Sequence, residues 1–268
     1  MTRVAQPINR SSIRQKLARE YYILRRCFNN RRSKTNWSQQ TDENIAQHQV
    51  FSHQSLILRP LKDVEMYLQE NKRTNLKIAI SHLNNTIIKP GETFSFWHQV
   101  GRPTKAKGYL EGLILKQGKI EKGTGGGLCQ LGNLLFWIAA HSPLTITERH
   151  RHSFDVFPDV NRNVPFGAGA TLSYNYIDLR IKNETQNSFL LKLWLDDEYL
   201  NGELLSSEKI TSEFSVEERN HIIKQQNWGG YTRHNQIFRI ETCENGEIRE
   251  SLLAENHAIM MYAPFLEG

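Results

Sequence analysis

The sequence of 268 residues is poor in cysteine and has no long apolar run. Its three cysteines, Cys27, Cys129 and Cys243, stand far apart and form no Cys-x-x-Cys pair. Such spacing argues against a disulfide framework and against a structural zinc site. No segment approaches the run of about 20 apolar residues that a membrane-spanning helix needs. We therefore expect neither a disulfide-stapled scaffold nor a membrane-spanning helix.

The N-terminal residues lack the apolar core of a secretory signal peptide, because residues 1–30 contain no uninterrupted apolar segment. We therefore expect a cytoplasmic protein, with a peripheral position at the inner membrane face as the alternative. The formal net charge of +6 is uneven, since residues 1–37 hold ten Lys and Arg residues and one acid. The rest of the chain is slightly acidic and has no basic surface with interleaved aromatic residues. We expect no nucleic-acid partner.

The basic N-terminal segment predicts an amphipathic helix that begins near Ser12 and ends near Arg26. One face of this helix is apolar and carries Ile13, Leu17, Tyr21 and Leu24. A stripe of this width usually packs on a globular domain, and we expect it to do so. The alternative is peripheral contact of residues 1–37 with an anionic membrane. Residues 30–53 are polar and predict an irregular arm, so we assign residues 1–59 to a basic helix and a linker arm.

Residues 125–130, with the sequence Gly-Gly-Gly-Leu-Cys-Gln, form the most informative motif. Glycines permit positive φ angles and expose backbone N–H groups. An apolar run with helical spacing follows and stops at Ser142-Pro143, which predicts a helix that begins beside Cys129. The N-terminus of a helix favours a thiolate, so we interpret Cys129 as a candidate nucleophile. An inert buried thiol is the alternative.

Histidine and acid follow Cys129 in the order expected of a cysteine acyl-transfer site. We assign His152 as the base and Asp178 as the group that orients its imidazole. His150 and Glu148 compete for these two roles, because a strand with alternating side chains would place them on the same face. Structural roles remain alternatives, such as an ion pair between Asp178 and a neighbouring arginine. The candidate substrate-binding residues are Gly125, Gly126, Gly127, Gln130, Glu148, Arg149 and His150.

The order of predicted elements indicates an α+β fold. It comprises a mixed or antiparallel sheet with the helix of Cys129 packed on it, plus the basic N-terminal helix. Residues 171–181 alternate as a long strand does, with residues 189–195 as the expected partner. Gly118-Lys119 and Asn245-Gly246 are hairpin signals. We expect a main domain over residues 60–207 and an extension over residues 208–268 that packs on it.

Four segments carry a family resemblance: Lys-Pro-Gly-Glu-Thr-Phe-Ser-Phe at 89–96, the motif at 125–130, Glu-Arg-His-Arg-His-Ser at 148–153, and Asp-Leu-Arg at 178–180. In order and spacing they resemble the VanW family over about residues 60–205. The resemblance implies an association with peptidoglycan or glycopeptide resistance. Some larger members are understood as cysteine-dependent L,D-transpeptidases, which implies Cys129 as nucleophile and His152 or His150 as base.

Two functional hypotheses follow. The first is an acyl-transfer site of Cys129, His152 and Asp178, L,D-transpeptidase-like or peptidase-like, that acts on peptidoglycan stem peptides or their precursors. The second is a non-catalytic accessory protein that binds a peptidoglycan precursor. A metal held by Cys129, His150, His152 and Asp178 is a weaker alternative, and we expect no metal and no cofactor.

Overall fold

The computed structural model describes residues 11–41, 46–58, 65–116, 118–156 and 164–264. Its α-helices are α1 (Ser12–Arg32), α2 (Met66–Leu83), α3 (Phe96–Val100) and α4 (Leu128–Ala140). Its strands are β1 (Gln39–Gln40), β2 (His48–Leu56), β3 (Thr86–Ile88), β4 (Thr93–Ser95), β5 (Glu111–Lys116), β6 (Lys119–Thr124), β7 (Thr145–Glu148), β8 (Phe154–Asp155), β9 (Arg180–Lys182), β10 (Phe189–Leu195), β11 (Tyr199–Ser206), β12 (Glu213–Gln225), β13 (Tyr231–Thr242) and β14 (Ile248–Met260). Helices and largely antiparallel sheets confirm the predicted α+β class.

The largest sheet has five antiparallel strands in the order β1-β3-β10-β11-β2. Both of its edge strands come from residues 39–56, where the sequence predicts an irregular arm. That prediction is wrong for these residues, because β2 pairs with β11 along most of its length. The strand was missed because its sequence, His-Gln-Val-Phe-Ser-His-Gln-Ser-Leu, is mostly polar and most of its side chains remain exposed.

Helix α4 lies across this sheet and supplies much of the core. It contacts β2, β11 and α2, and most of its side chains from Leu131 to Ala140 are buried. Gly202 permits the close approach of α4 to β11, since a Cβ atom there would lie 2.7 Å from Ile138. The prediction of a Cys-bearing helix packed on the sheet is confirmed.

The C-terminal end of α4 is capped by an arginine from the last third of the chain. Arg239 on β13 donates to the carbonyl oxygens of Ala139 (2.9 Å), Ala140 (3.0 Å) and Leu144 (2.8 Å). Burial lowers the pKa of Arg239 to about 10. Carbonyl groups at a helix end lack intrahelical partners, so this side chain satisfies acceptors that the helix leaves free.

A smaller antiparallel sheet, in the order β4-β9-β7, joins three of the family motifs. The predicted long strand over residues 171–181 is wrong. Residues 173–177 instead close a tight turn, in which Ser173 and Ile177 exchange backbone hydrogen bonds of 2.9 Å and Asn175 has a φ angle of 47°. Only Arg180–Lys182 forms a strand, and β10 pairs with β3 and β11.

Residues after 207 form most of a four-stranded sheet in the order β12-β13-β14-β8. β13 and β14 form the hairpin that Asn245-Gly246 predicts, with Gly246 at a φ angle of 81°. β8 joins β14 in parallel, which connects this sheet to the segment that carries the two histidines. The hairpin predicted at Gly118-Lys119 is likewise confirmed by the pairing of β5 with β6.

The apolar stripe of α1 faces outward. Leu17 and Leu24 are each 68% exposed, and Ile23 is the large apolar residue of α1 that is buried. The expectation that the stripe packs on the domain is therefore wrong. None of the described helices is long and apolar enough to cross a membrane.

Candidate functional site

The glycine motif closes the β5–β6 hairpin and starts α4. The N–H groups of Gly125 and Gly127 donate to the carbonyl oxygens of Leu110 (2.9 Å) and Leu113 (3.1 Å). These two N–H groups are therefore engaged within the fold.

Asn75 organises this turn, and its role was not predicted from the sequence. The side chain is fully buried on α2. Its amide nitrogen donates to the carbonyl oxygens of Gly126 (2.9 Å) and Leu110 (3.1 Å), and its oxygen accepts from the Leu110 N–H (2.8 Å). The signal that could have found it is a polar residue beside Leu76 and close to Ala79 and Ile80, on the apolar face of a predicted helix.

Cys129 lies in the first turn of α4, as predicted, but its thiol is held by a neighbouring loop. The Leu172 N–H lies 3.4 Å from the sulfur, and the sulfur lies 3.8 Å from the Leu172 carbonyl oxygen. Burial raises the pKa of the Cys129 thiol, and the Leu172 hydrogen bond only partly opposes this. With its pKa raised, the thiol is protonated at neutral pH.

The two histidines lie outside any strand, so the predicted shared strand face is wrong. β7 ends at Glu148, before His150 and His152. Residues 169–172 contact both the cysteine and the histidine segment. Leu172 contacts Cys129, and the Thr171 N–H donates to the His150 carbonyl oxygen at 2.8 Å. Burial, with the charge of Arg151, lowers the pKa of His152. Among the described residues, His152 forms no hydrogen bond to Cys129 or Asp178.

Asp178 is almost fully buried, and its carboxylate is used to hold the fold together. It accepts hydrogen bonds from Ser95 Oγ (2.6 Å) and the Trp97 N–H (3.1 Å). It also accepts from the Leu179 N–H (2.9 Å) and from Arg180 Nε (3.2 Å). Burial raises the pKa of Asp178. The hydrogen bonds from Ser95 and Trp97 and the charge of Arg180 lower it, but burial outweighs them. The expected bond from His152 to Asp178 is replaced by a cap on α3.

Glu148 lies beside Asp178 and connects it to the N-terminal helix. Arg26 forms a bidentate pair with Glu148, with both N–O distances at 2.6 Å. Arg180 Nε lies 3.4 Å and His150 Nε2 lies 3.7 Å from the Glu148 carboxylate. Burial raises the pKa of Glu148, but the hydrogen bonds and charge of Arg26 outweigh it and bring the pKa below its usual range.

We call Ser95, Glu148, Asp178, Arg180 and Arg26 the polar cluster. Its members come from three of the four family segments and from α1. A shallow pocket opens next to it, between α1 and the turn at 173–177. The pocket lining includes Arg25, Arg26, Asn30, Asn175 and Arg180.

Two of the predicted substrate-binding residues have contacts within the fold. Gln130 Nε2 donates to Ser55 Oγ (2.6 Å) and the Leu56 carbonyl oxygen (2.8 Å), which ties α4 to β2. Arg149 donates to the carbonyl oxygens of Gly167 and Gly169 and to Asn256 Oδ1 on β14. Burial lowers the pKa of Arg149 to about 10.

The candidate metal ligands do not assemble. Among the residues that the structure describes, no group of three or more His, Cys, Asp or Glu side chains is placed to hold a metal ion. The arrangement therefore offers two chemically distinct places: a protonated thiol under the 169–172 loop, and a pocket rich in hydrogen-bond donors beside the polar cluster.

We expect Arg26→Ala to lower the free energy of unfolding by about 2 kcal/mol, because it leaves a half-buried carboxylate without its main partner. Limited proteolysis should then cut α1 faster, since this ion pair fastens the helix to the domain. Urea unfolding measures the first effect. Arg25→Ala is the matched control, because Arg25 is exposed and has no ion pair among the described residues. Equal effects of both variants would contradict the anchoring role.

Comparisons with known proteins agree with these motifs. The family model described as VanW like protein matches residues 71–205. The chain is 35% identical over 205 residues to the vancomycin B-type resistance protein VanW of Enterococcus faecalis (strain ATCC 700802 / V583), which covers 76% of this chain and 74% of that protein. It is 32% identical over 123 residues to the uncharacterized protein YoaR of Bacillus subtilis (strain 168), which covers 46% of this chain and 39% of that protein.

No solved structure gives a significant match. The family model spans half of the chain and includes Cys129, Glu148 and Asp178, and the similarity to the Enterococcus faecalis protein extends over three quarters of it. The resemblance inferred from the four segments is confirmed, and the chain belongs to the VanW family.

Proposed function

We propose that this chain serves in vancomycin resistance as an accessory protein that binds a peptidoglycan precursor without forming a covalent bond to it. The link to vancomycin resistance comes from the name of the Enterococcus faecalis relative. The observation that carries the non-covalent role is the state of Cys129: its thiol is half-buried, hydrogen bonded to Leu172, and has a raised pKa. A thiol of this kind is a poor nucleophile at neutral pH.

The pocket beside the polar cluster has the chemistry to bind such a precursor. Peptidoglycan precursors carry carboxylates and phosphates, which arginine recognises through paired N–H donors. Arg26 and Arg180 are held by Glu148 and Asp178, so their positions are fixed before any ligand arrives. Arg25 lines the same pocket and, among the described residues, has no carboxylate partner. It is therefore the cation that we assign to an anionic group of the ligand.

Calorimetric titration with a soluble UDP-linked muramoyl pentapeptide tests this proposal. We expect wild-type binding, about tenfold weaker binding in Arg25→Ala because a charged hydrogen bond is lost, and unchanged binding in Cys129→Ser. Arg31→Ala is the matched control, since Arg31 is an exposed arginine of the same helix outside the pocket. Absence of binding to the wild-type protein, or equal losses in both arginine variants, would contradict the proposal.

The second candidate function is acyl transfer by Cys129, and one observation favours it: the thiol lies in the first turn of α4, where the helix dipole stabilises negative charge. His152, kept neutral by its lowered pKa, would accept the thiol proton as sulfur attacks a peptide carbonyl. His152 would give this proton to the leaving amine as the thioester forms, and the thioester would then pass to an amine or to water. This route requires residues 169–172 to move away from the sulfur.

The pH profile of Cys129 alkylation, followed by mass spectrometry, separates the two candidates. We expect an apparent pKa above that of an ordinary thiol, because burial disfavours the thiolate, and no change in His152→Ala. Cys27 and Cys243 are internal controls in the same sample. An apparent pKa below the ordinary range that rises in His152→Ala, together with an acyl adduct on a stem peptide, would support acyl transfer instead.

A further inference from the structure

The outward face of α1 is apolar along its whole length. Its residues follow one another at intervals of three or four positions, so they lie on one side of the helix. Each is more than half exposed: Ile13, Leu17, Tyr21, Leu24 and Phe28. Soluble proteins rarely leave a contiguous apolar strip of this kind uncovered, and such strips mark interaction surfaces. We call these five residues the apolar strip.

The opposite side of α1 is fixed to the domain, which determines where the strip points. Ile23 is buried, Arg26 is paired with Glu148, and Asn30 Oδ1 accepts a hydrogen bond from Arg180 at 2.8 Å. At 100° per residue these three positions lie on the side of the helix away from the strip. The contacts that hold the helix therefore turn the strip away from the domain.

Positive charge borders the apolar strip. Residues 12–32 contain seven arginines and lysines and a single acid, Glu20. Glu20 is neutralised by Arg102, with N–O distances of 2.6 and 3.1 Å. Among the described residues, Arg26 is the one basic residue of α1 that forms an ion pair. Arg14, Arg31 and Arg32 are exposed at or beside the strip, which gives this face a net positive potential.

We propose that α1 docks this face on an anionic lipid bilayer, lying in the plane of the surface. The apolar strip enters the acyl boundary, and the bordering arginines contact lipid phosphates. Charge selects this occupant over a second copy of the chain, because two α1 helices packed strip to strip would bring their arginines together. Since Arg26 joins α1 to the polar cluster, docking also holds the proposed ligand pocket close to the membrane.

Co-sedimentation of the full chain with vesicles tests the proposal. We expect binding to vesicles of equal parts phosphatidylglycerol and phosphatidylcholine, little binding to phosphatidylcholine alone, and weaker binding as salt is raised. Leu17→Gln combined with Leu24→Gln should reduce binding to the anionic vesicles about tenfold or more, because two buried apolar side chains are lost. Glutamine is a good helix former, so the variant preserves α1.

The matched control is Ile248→Thr combined with Leu252→Thr on β14, which removes two exposed apolar side chains from another surface and should leave binding unchanged. Equal losses in both double variants, or no wild-type binding to anionic vesicles, would overturn the proposal. So would a wild-type dimer that becomes monomeric in the α1 variant, which would make the strip an interface between copies. These vesicles contain no peptidoglycan precursor, so a failure to bind them would not contradict the proposed function. The calorimetric titration tests that function separately.

Discussion

Asp178→Ala should lower the free energy of unfolding by about 3 to 5 kcal/mol, one of the two largest effects expected of a single substitution in this chain. The side chain is 1% exposed and accepts four hydrogen bonds, from Ser95, Trp97, Leu179 and Arg180. Without the carboxylate, three buried donors lose their acceptor: Ser95 Oγ, the Trp97 N–H and the Leu179 N–H. Urea unfolding monitored by tryptophan fluorescence measures the change.

Asp197→Ala provides the comparison for this substitution, since Asp197 is exposed and its side chain has no hydrogen bond among the described residues. It should change stability by less than about 0.5 kcal/mol. An Asp178→Ala protein as stable as the wild type would contradict the structural role of this carboxylate.

Gly126→Ala should destabilise the protein by about 3 kcal/mol or more, because two backbone segments approach each other at this glycine. A Cβ atom at Gly126 would lie closer than 3.0 Å to backbone atoms of Gly112 on β5, where real side chains essentially never lie. The backbone of β5 would have to move, and the hydrogen bonds of Asn75 to the carbonyl oxygens of Gly126 and Leu110 would be disturbed. Thermal unfolding by circular dichroism reports the loss.

Gly91→Ala separates this steric effect from the cost of backbone conformation. Gly91 has a φ angle of 80°, and no atom lies within 4 Å of the Cβ position. Alanine there should cost only about 1 to 2 kcal/mol, the penalty of a left-handed backbone. A Gly126→Ala protein as stable as Gly91→Ala would show that the β5 contact can relax, and the close approach would then not explain the glycine.

The parts of the fold that local pattern determines could be predicted from the sequence. The apolar run after Gly127 is long, has helical spacing and ends at Ser142-Pro143, and the structure places α4 at Leu128–Ala140. The hairpin at Asn245-Gly246 follows from a turn sequence that favours a left-handed glycine. In both cases the residues that decide the conformation are neighbours in the chain.

The alternation of apolar and polar residues over 171–181 predicted a strand that the structure does not contain, and the reason is physical. A strand needs partners along its length, but Ser173 and Ile177 bond to each other, and Asn175 adopts a left-handed conformation that no local pattern requires. The sequence shows alternating residues in either case. Only the pairing of β10 with β3 and β11 excludes residues 171–181 as its partner.

For the candidate site, the sequence was sufficient to identify residues but not to assign their roles. Residue type and motif were enough to select Cys129, Glu148 and Asp178 as candidates. Their contacts depend on partners far along the chain: Arg26 lies 122 residues from Glu148, and Ser95 lies 83 residues from Asp178. Whether a carboxylate orients a histidine or caps a helix is decided by these distant partners. Residue type and motif order therefore identified the residues but not their roles.

The cap that Arg239 places on α4 has a consequence for synthesis of the chain on the ribosome. Helix α4 is complete when residue 140 has been translated, yet the arginine that pairs its last carbonyl groups is added about a hundred residues later. Strand β14, whose Asn256 binds Arg149, comes later still. The carbonyl groups at the end of α4 therefore stay without this partner until Arg239 has been synthesised. During that interval these carbonyl groups depend on water for their hydrogen bonds.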